Sequence, residues 1–125
     1  MSNLEVQLNL LAKISEDLTE AARSGQIGIP RFIRWTQPAG ILNDFDIAQN
    51  LCNRLFGSTP VRSDEFGSDP GQTRLLIWTT GESAILAQSS NTPDSLPEVM
   101  LLGSAGAIYF DGSGGVIRTL EEVVR

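Results

Sequence analysis

The chain has 125 residues, 41% of them hydrophobic and 19% charged, which is enough apolar material for one domain with a real core and too much for a disordered segment. Nine Lys and Arg against 15 Asp and Glu leave a net charge of −6, which argues against nucleic acid or an anionic membrane as the main partner. With no histidine and one cysteine, Ser-His-Asp triads, Cys-His pairs, ordinary zinc sites and an intramolecular disulfide are all excluded.

Ser2-Asn3-Leu4-Glu5 has the S-x-x-E form of a capping box and opens a helix. Leu4, Leu8, Leu11, Leu18 and Ala22 make one apolar stripe, widened by Leu10 and Ile14, and Ser24-Gly25 ends it. The stripe suits a covering layer, or a helix that docks a partner. Glu5, Gln7, Asn9 and Lys13 interrupt the Leu4–Ile14 stretch, so it does not read as a signal peptide, and no apolar run reaches membrane-spanning length. A cytoplasmic location is the default expectation. Gln26–Pro30 is a connector with two breakers. Arg31–Thr36 reads as a strand with Ile33 and Trp35 on one face and Phe32 and Arg34 on the other.

Gly40–Gly57 carries the clearest helical period. Leu42, Phe45, Ala48, Leu51, Cys52, Leu55 and Phe56 fall on one face, while Asn43, Asp46, Gln49, Asn50 and Asn53 lie off it. Asn43 is the expected N-cap of a helix from about Asn43 to Phe56, with Asp44 and Asp46 in its positive first turn and Gly57 as its stop. Cys52 reads as a buried small hydrophobe. Pro60–Ser63 is a weak strand, and Asp64–Gly71 reads as a loop. Thr73–Thr80 and Ser83–Ser89 form a hairpin about Thr80-Gly81-Glu82. Glu98–Gly103, Gly106–Asp111 and Val116–Thr119 are three further strands, and Leu120–Arg125 suits a helical turn. Runs of strands in place of βαβ alternation predict an α+β fold: an open, mostly antiparallel sheet with two helices packed on one face, in a single domain over residues 1–125.

Candidate chemistry is sparse. DGSGG at Asp111–Gly115 and GSAG at Gly103–Gly106 lack both the P-loop and the dinucleotide spacings, and turns account for them. Asp44 and Asp46, two apart on a helix, diverge and are poorly placed to share a proton; capping explains both, and ligand contact is the other reading. Asp46, Asn50 and Arg54 form an i, i+4, i+8 ladder, which suits a solvated face. In the hairpin, Leu75, Ile77, Ile85 and Ala87 point one way, and Leu76, Trp78, Ala84 and Leu86 the other. Neither side is polar, so both are expected to be covered, and two helices cover only one. A homodimer through the sheet face opposite the helices follows, with Leu76, Trp78 and Leu86 assigned to its interface.

The order of pieces resembles a known family. SGQIGIPRFIRW is similar to the entry into the C-terminal domain of the glucose–fructose oxidoreductase / inositol dehydrogenase (Gfo/Idh/MocA) oxidoreductases. AGILNDFDIAQNLCNRLFG resembles that family's next helix, TRLLIWTTGESAILAQSS its central hairpin, and VMLLGSAGAIYFDG its glycine-bearing strand pair, over about residues 20 to 119. The resemblance implies a domain that shapes a substrate pocket and supplies an oligomer interface. Family members carry a Rossmann domain first, with a glycine fingerprint and a lysine in an E-K-P motif, and neither is in this sequence. The family helix bears a histidine and an aspartate toward substrate. Counting back from Gly57, these positions fall on Ile47 for the histidine and on Asn43 and Asn50 for aspartates; in a second register Asn43–Asp46 aligns with the H-D-x-D run. The histidine is missing in both, so Asn43, Asp46 and Asn50 are carried over only as substrate-binding candidates, with no catalytic residue and no metal ligand. No cofactor is expected to bind this chain; NAD(P) would enter only with a Rossmann domain supplied elsewhere. The implied function is a non-catalytic substrate-side and dimerisation domain of an oxidoreductase-like protein. The alternatives are a free-standing interaction module, or one part of an enzyme completed in trans by a Rossmann chain.

Overall fold

The computed structural model describes residues 3–38, 45–68, 71–89, 97–110 and 115–119. Two helices and seven strands follow the order α1 (Asn3–Arg23), β1 (Pro30–Pro38), α2 (Asp46–Phe56), β2 (Arg62–Phe66), β3 (Thr73–Ile77), β4 (Ser83–Ser89), β5 (Glu98–Gly103), β6 (Gly106–Phe110) and β7 (Gly115–Thr119). They build one seven-stranded sheet in the order β2-β3-β4-β1-β5-β6-β7. Every pairing is antiparallel except β1 with β4, which run parallel. The expected α+β class and mostly antiparallel sheet are therefore what the chain forms.

The central strand is β1. Its inner face carries Ile33, Trp35 and Gln37, all buried, and the register continues that face into Leu86 and Ala84 of β4, Leu76 of β3, Leu101 and Val99 of β5, and Ile108 and Phe110 of β6. The helices close over this face. α1 contributes Leu11, Ile14, Leu18 and Ala21, and α2 contributes Ala48, Leu51 and Cys52. Leu8, expected on the α1 stripe, is exposed instead: the buried stripe runs through 11, 14, 18 and 21. Ser15, buried within it, donates its hydroxyl to the Leu11 carbonyl at 2.9 Å, so burial leaves no orphan donor.

Two expectations shift. α2 starts at Asp46, with Phe45 in the N-cap position at φ −109 and ψ 23 and no side-chain cap. Asn43 and Asp44 lie outside the described residues, as do the Ser2 end of the capping box, the DGSG turn and the 120–125 tail. The reason for the later start is Phe45: its side chain is 1% exposed, so core packing sets where the helix begins and not a polar cap. The C-terminal stop is as expected, with Gly57 in the left-handed region at φ 77 and its N–H on the Asn53 carbonyl. The polar stretch expected as a loop from Asp64 to Gly71 opens as strand: Asp64, Glu65 and Phe66 pair with Leu75, Arg74 and Thr73. β2 is an edge strand, and cross-strand contacts, not an apolar pattern, hold it there.

The Gln26–Pro30 connector is clamped to the β5–β6 turn. Ala105 and Ser104 donate backbone N–H groups to the Ile27 and Ile29 carbonyls at 2.8 and 2.9 Å, and the Ser104 hydroxyl accepts from the Ile29 N–H. A Cβ at Gly103 would overlap the Ile27 carbonyl oxygen, so the close approach itself demands glycine there.

Candidate functional site

The polar centre of the covered face lies where α2 begins. Arg74, on β3, shares the inner face with Leu76 and meets Leu86 in register. Its Nε and Nη2 donate to Glu65 Oε1 at 2.9 and 2.6 Å, and its Nη1 donates to Gln49 Oε1 at 2.7 Å. The guanidinium also lies 5.5 Å from the centroid of the Phe45 ring. One cation thus ties the edge strand β2, the strand β3 and the first turns of α2 together. The pair is partly solvated, so the ion pair itself contributes on the order of 1 kcal/mol or less; its larger effect is to fix where α2 sits. Nearby, the buried Gln37 accepts from Trp35 Nε1 at 2.9 Å, which satisfies the indole inside the core.

The substrate-binding candidates take a different position. Asp46 and Asn50 are exposed on α2, and with Arg54 they form an outward ridge. Asn43 lies outside the described residues. Asn50 and Arg54 border an open cleft of about 480 Å³ between the helices, whose other walls are Ala12, Ser15, Glu16 and Ile47; Asp46 does not line it. The structure therefore places Asn50 at a cleft and Asp46 beside it, without converging the two on one point. Cys52 is fully buried, and burial pushes its thiol up to about 12, the direction opposite to that of a nucleophile. Among the described residues no group of three or more His, Cys, Asp or Glu could hold a metal ion, and no helix is long and apolar enough to cross a membrane.

Leu76, Trp78 and Leu86, assigned to an interface on the open face, are on the other side of the sheet. They are 0%, 1% and 0% exposed within a single chain. Phe56 of α2 packs edge-on against Trp78, with centroids 4.8 Å apart and planes at 71°, and Trp78 Nε1 donates to the Ser58 carbonyl at 2.8 Å. These side chains are core, and a partner cannot reach them. The correction has a simple cause. When both faces of a strand are apolar, alternation separates two sets of residues without saying which set the helices cover.

Among the described residues no helix covers the opposite face. Two rows cross it in register: Leu75, Ile85, Arg34, Met100 and Tyr109, and beside them Ile77, Ser83, Phe32, Leu102 and Ala107. Most of these are half-buried by their neighbours in the sheet, and Leu102 and Tyr109 remain 43% and 38% exposed. The sequence reading gave no role to Arg74 or Glu65, and it expected the open face but assigned it the wrong residues. A single arginine at an inward position of the strongest apolar strand was the available signal for the first, since a covered cation needs a partner.

No family model and no curated protein matches the chain. Solved structures do. A structure designated a dehydrogenase from Thermotoga maritima superposes with a TM-score of 0.66 at 18% identity, over 87% of this chain and 44% of its own. Levoglucosan dehydrogenase in complex with NADH and levoglucosan gives 0.63 at 11% identity, over 83% and 39%. An NAD-binding oxidoreductase from Klebsiella pneumoniae gives 0.58 at 13% identity, over 89% and 41%. The chain thus has the fold of the C-terminal domain of Gfo/Idh/MocA-type oxidoreductases, and it spans less than half the length of the structures it matches.

Proposed function

We propose that this chain is the non-catalytic substrate-side and dimerisation domain of an NAD(P)-dependent oxidoreductase-like protein, with a cytoplasmic location. The observation that carries the reading is the uncovered apolar face formed by Phe32, Leu75, Ile77, Ile85, Met100 and Leu102, on a fold that solved oxidoreductases combine with a further part of similar or greater length. Such a patch favours association over exposure to water. In this reading a second copy of the chain covers the sheet, and the exposed α2 ridge of Asp46 and Asn50 faces the substrate side. NAD(P) is bound by a Rossmann domain, in the same protein or as a separate partner chain. Light scattering after size-exclusion chromatography tests the assembly: a dimer mass at tens of micromolar is expected, and a monodisperse monomer would refute it. Fluorescence titration with NADH tests the division of labour. No saturable binding is expected for these 125 residues alone; saturation at micromolar NADH would overturn it.

A further inference from the structure

The register of β1 to β6 places four charged side chains on the open face, among apolar residues and the neutral polar Thr36, Thr73 and Ser83. Arg62 and Asp64, at the β2 edge, pair with each other at 2.7 Å. Arg34 and Glu98 are different. Arg34 lies on the central strand, between Phe32 and Thr36 along the chain and between Ile85 and Met100 across it. Glu98 lies opposite Thr36, one diagonal step from Arg34. Both are exposed, and among the described residues neither side chain takes part in an ion pair or hydrogen bond. An unpaired guanidinium at the middle of an apolar patch is an obstacle to covering that patch, because a buried charge without a counter-charge is costly.

We infer that the occupant of this face is a second copy of the chain, placed by a two-fold axis between Arg34 and Glu98 so that each Arg34 pairs with the partner's Glu98. This inference rests on the assembly reading above and adds its register. Diagonal neighbours in a sheet are roughly 7–8 Å apart, and packed sheets lie about 10 Å apart, a gap that an arginine and a glutamate bridge together. A two-fold axis through the midpoint of the pair, perpendicular to the line joining them, carries each residue over the other. The two reciprocal pairs then alternate in sign around the axis, as an isologous interface requires.

Charge reversal tests the pairing, with mass read by light scattering and fold by circular dichroism. Arg34→Glu and Glu98→Arg each place like charges opposite one another and are expected to weaken self-association by at least about tenfold, with the folded spectrum retained. Mixing the two single variants restores both pairs in a heterodimer, and the double variant restores them in a homodimer. A dimeric wild type whose single variants dimerise equally well, or whose mixed variants stay monomeric, overturns the Arg34–Glu98 register while leaving the assembly reading standing. A monomeric or polydisperse wild type overturns both.

Discussion

Cys52 and Arg74 show how far a side chain's surroundings decide its behaviour. Cys52 is enclosed by the helix–sheet core, and desolvation of the thiolate pushes its thiol from an ordinary 9.0 to about 12. Near pH 8 the folded protein therefore holds almost no thiolate. We expect a colourimetric thiol reagent to leave Cys52 unmodified in the folded chain and to react fully once denaturant is added. Rapid modification without denaturant would show that the core opens at α2. Arg74 sits on the same face, and its place among apolar neighbours is stabilised by Glu65, Gln49 and the Phe45 ring. The residue reads as an interruption in the sequence and as a strut in the fold.

Element boundaries follow local backbone chemistry in some places and packing in others. Gly57 stops α2 because a left-handed residue ends a helix at little cost when it has no Cβ. The start of α2 obeys packing instead, with Phe45 buried where a polar cap was expected. The contact between the Gln26–Pro30 connector and the β5–β6 turn belongs to the same scale. Because a Cβ at Gly103 meets the backbone of Ile27, Gly103→Ala must separate two elements and is expected to cost about 1–3 kcal/mol. Thermal or urea denaturation measures this, and an unchanged midpoint would show that the connector yields freely.

Across the whole molecule, the two faces of the sheet make opposite demands. Trp78→Glu puts a carboxylate against Phe56 inside the core and is expected to destabilise the chain by upwards of about 3 kcal/mol, with loss of the folded spectrum. Ile85→Glu, on the open face, is expected to leave the melting transition within about 1 kcal/mol of wild type while shifting the mass from dimer to monomer. Comparing the two by circular dichroism and light scattering separates folding from assembly. A dimer that persists in Ile85→Glu would remove the open face from the interface.

The sequence by itself determined the inventory. Three-four periodicity marked both helices, short apolar runs between turn residues marked most strands, and the run of strands after α2 required an α+β sheet, because these signals depend only on neighbours along the chain. The resemblance carried by the SGQIGIPRFIRW entry and the strands around Gly103–Gly106 pointed to the same fold as the structural matches. Tertiary structure alone decided the rest: that β1 enters the middle of the sheet parallel to β4, that polar Arg62–Phe66 becomes a strand by pairing with β3, and which apolar face the helices cover. The physical reason is common to all three. Each depends on contacts between segments far apart in the chain, and a strand with two apolar faces satisfies its own pattern equally well either way up. Helix packing chose the face with Trp35, Leu76, Trp78 and Leu86, and so left Arg34 and Glu98 on the side that faces outward.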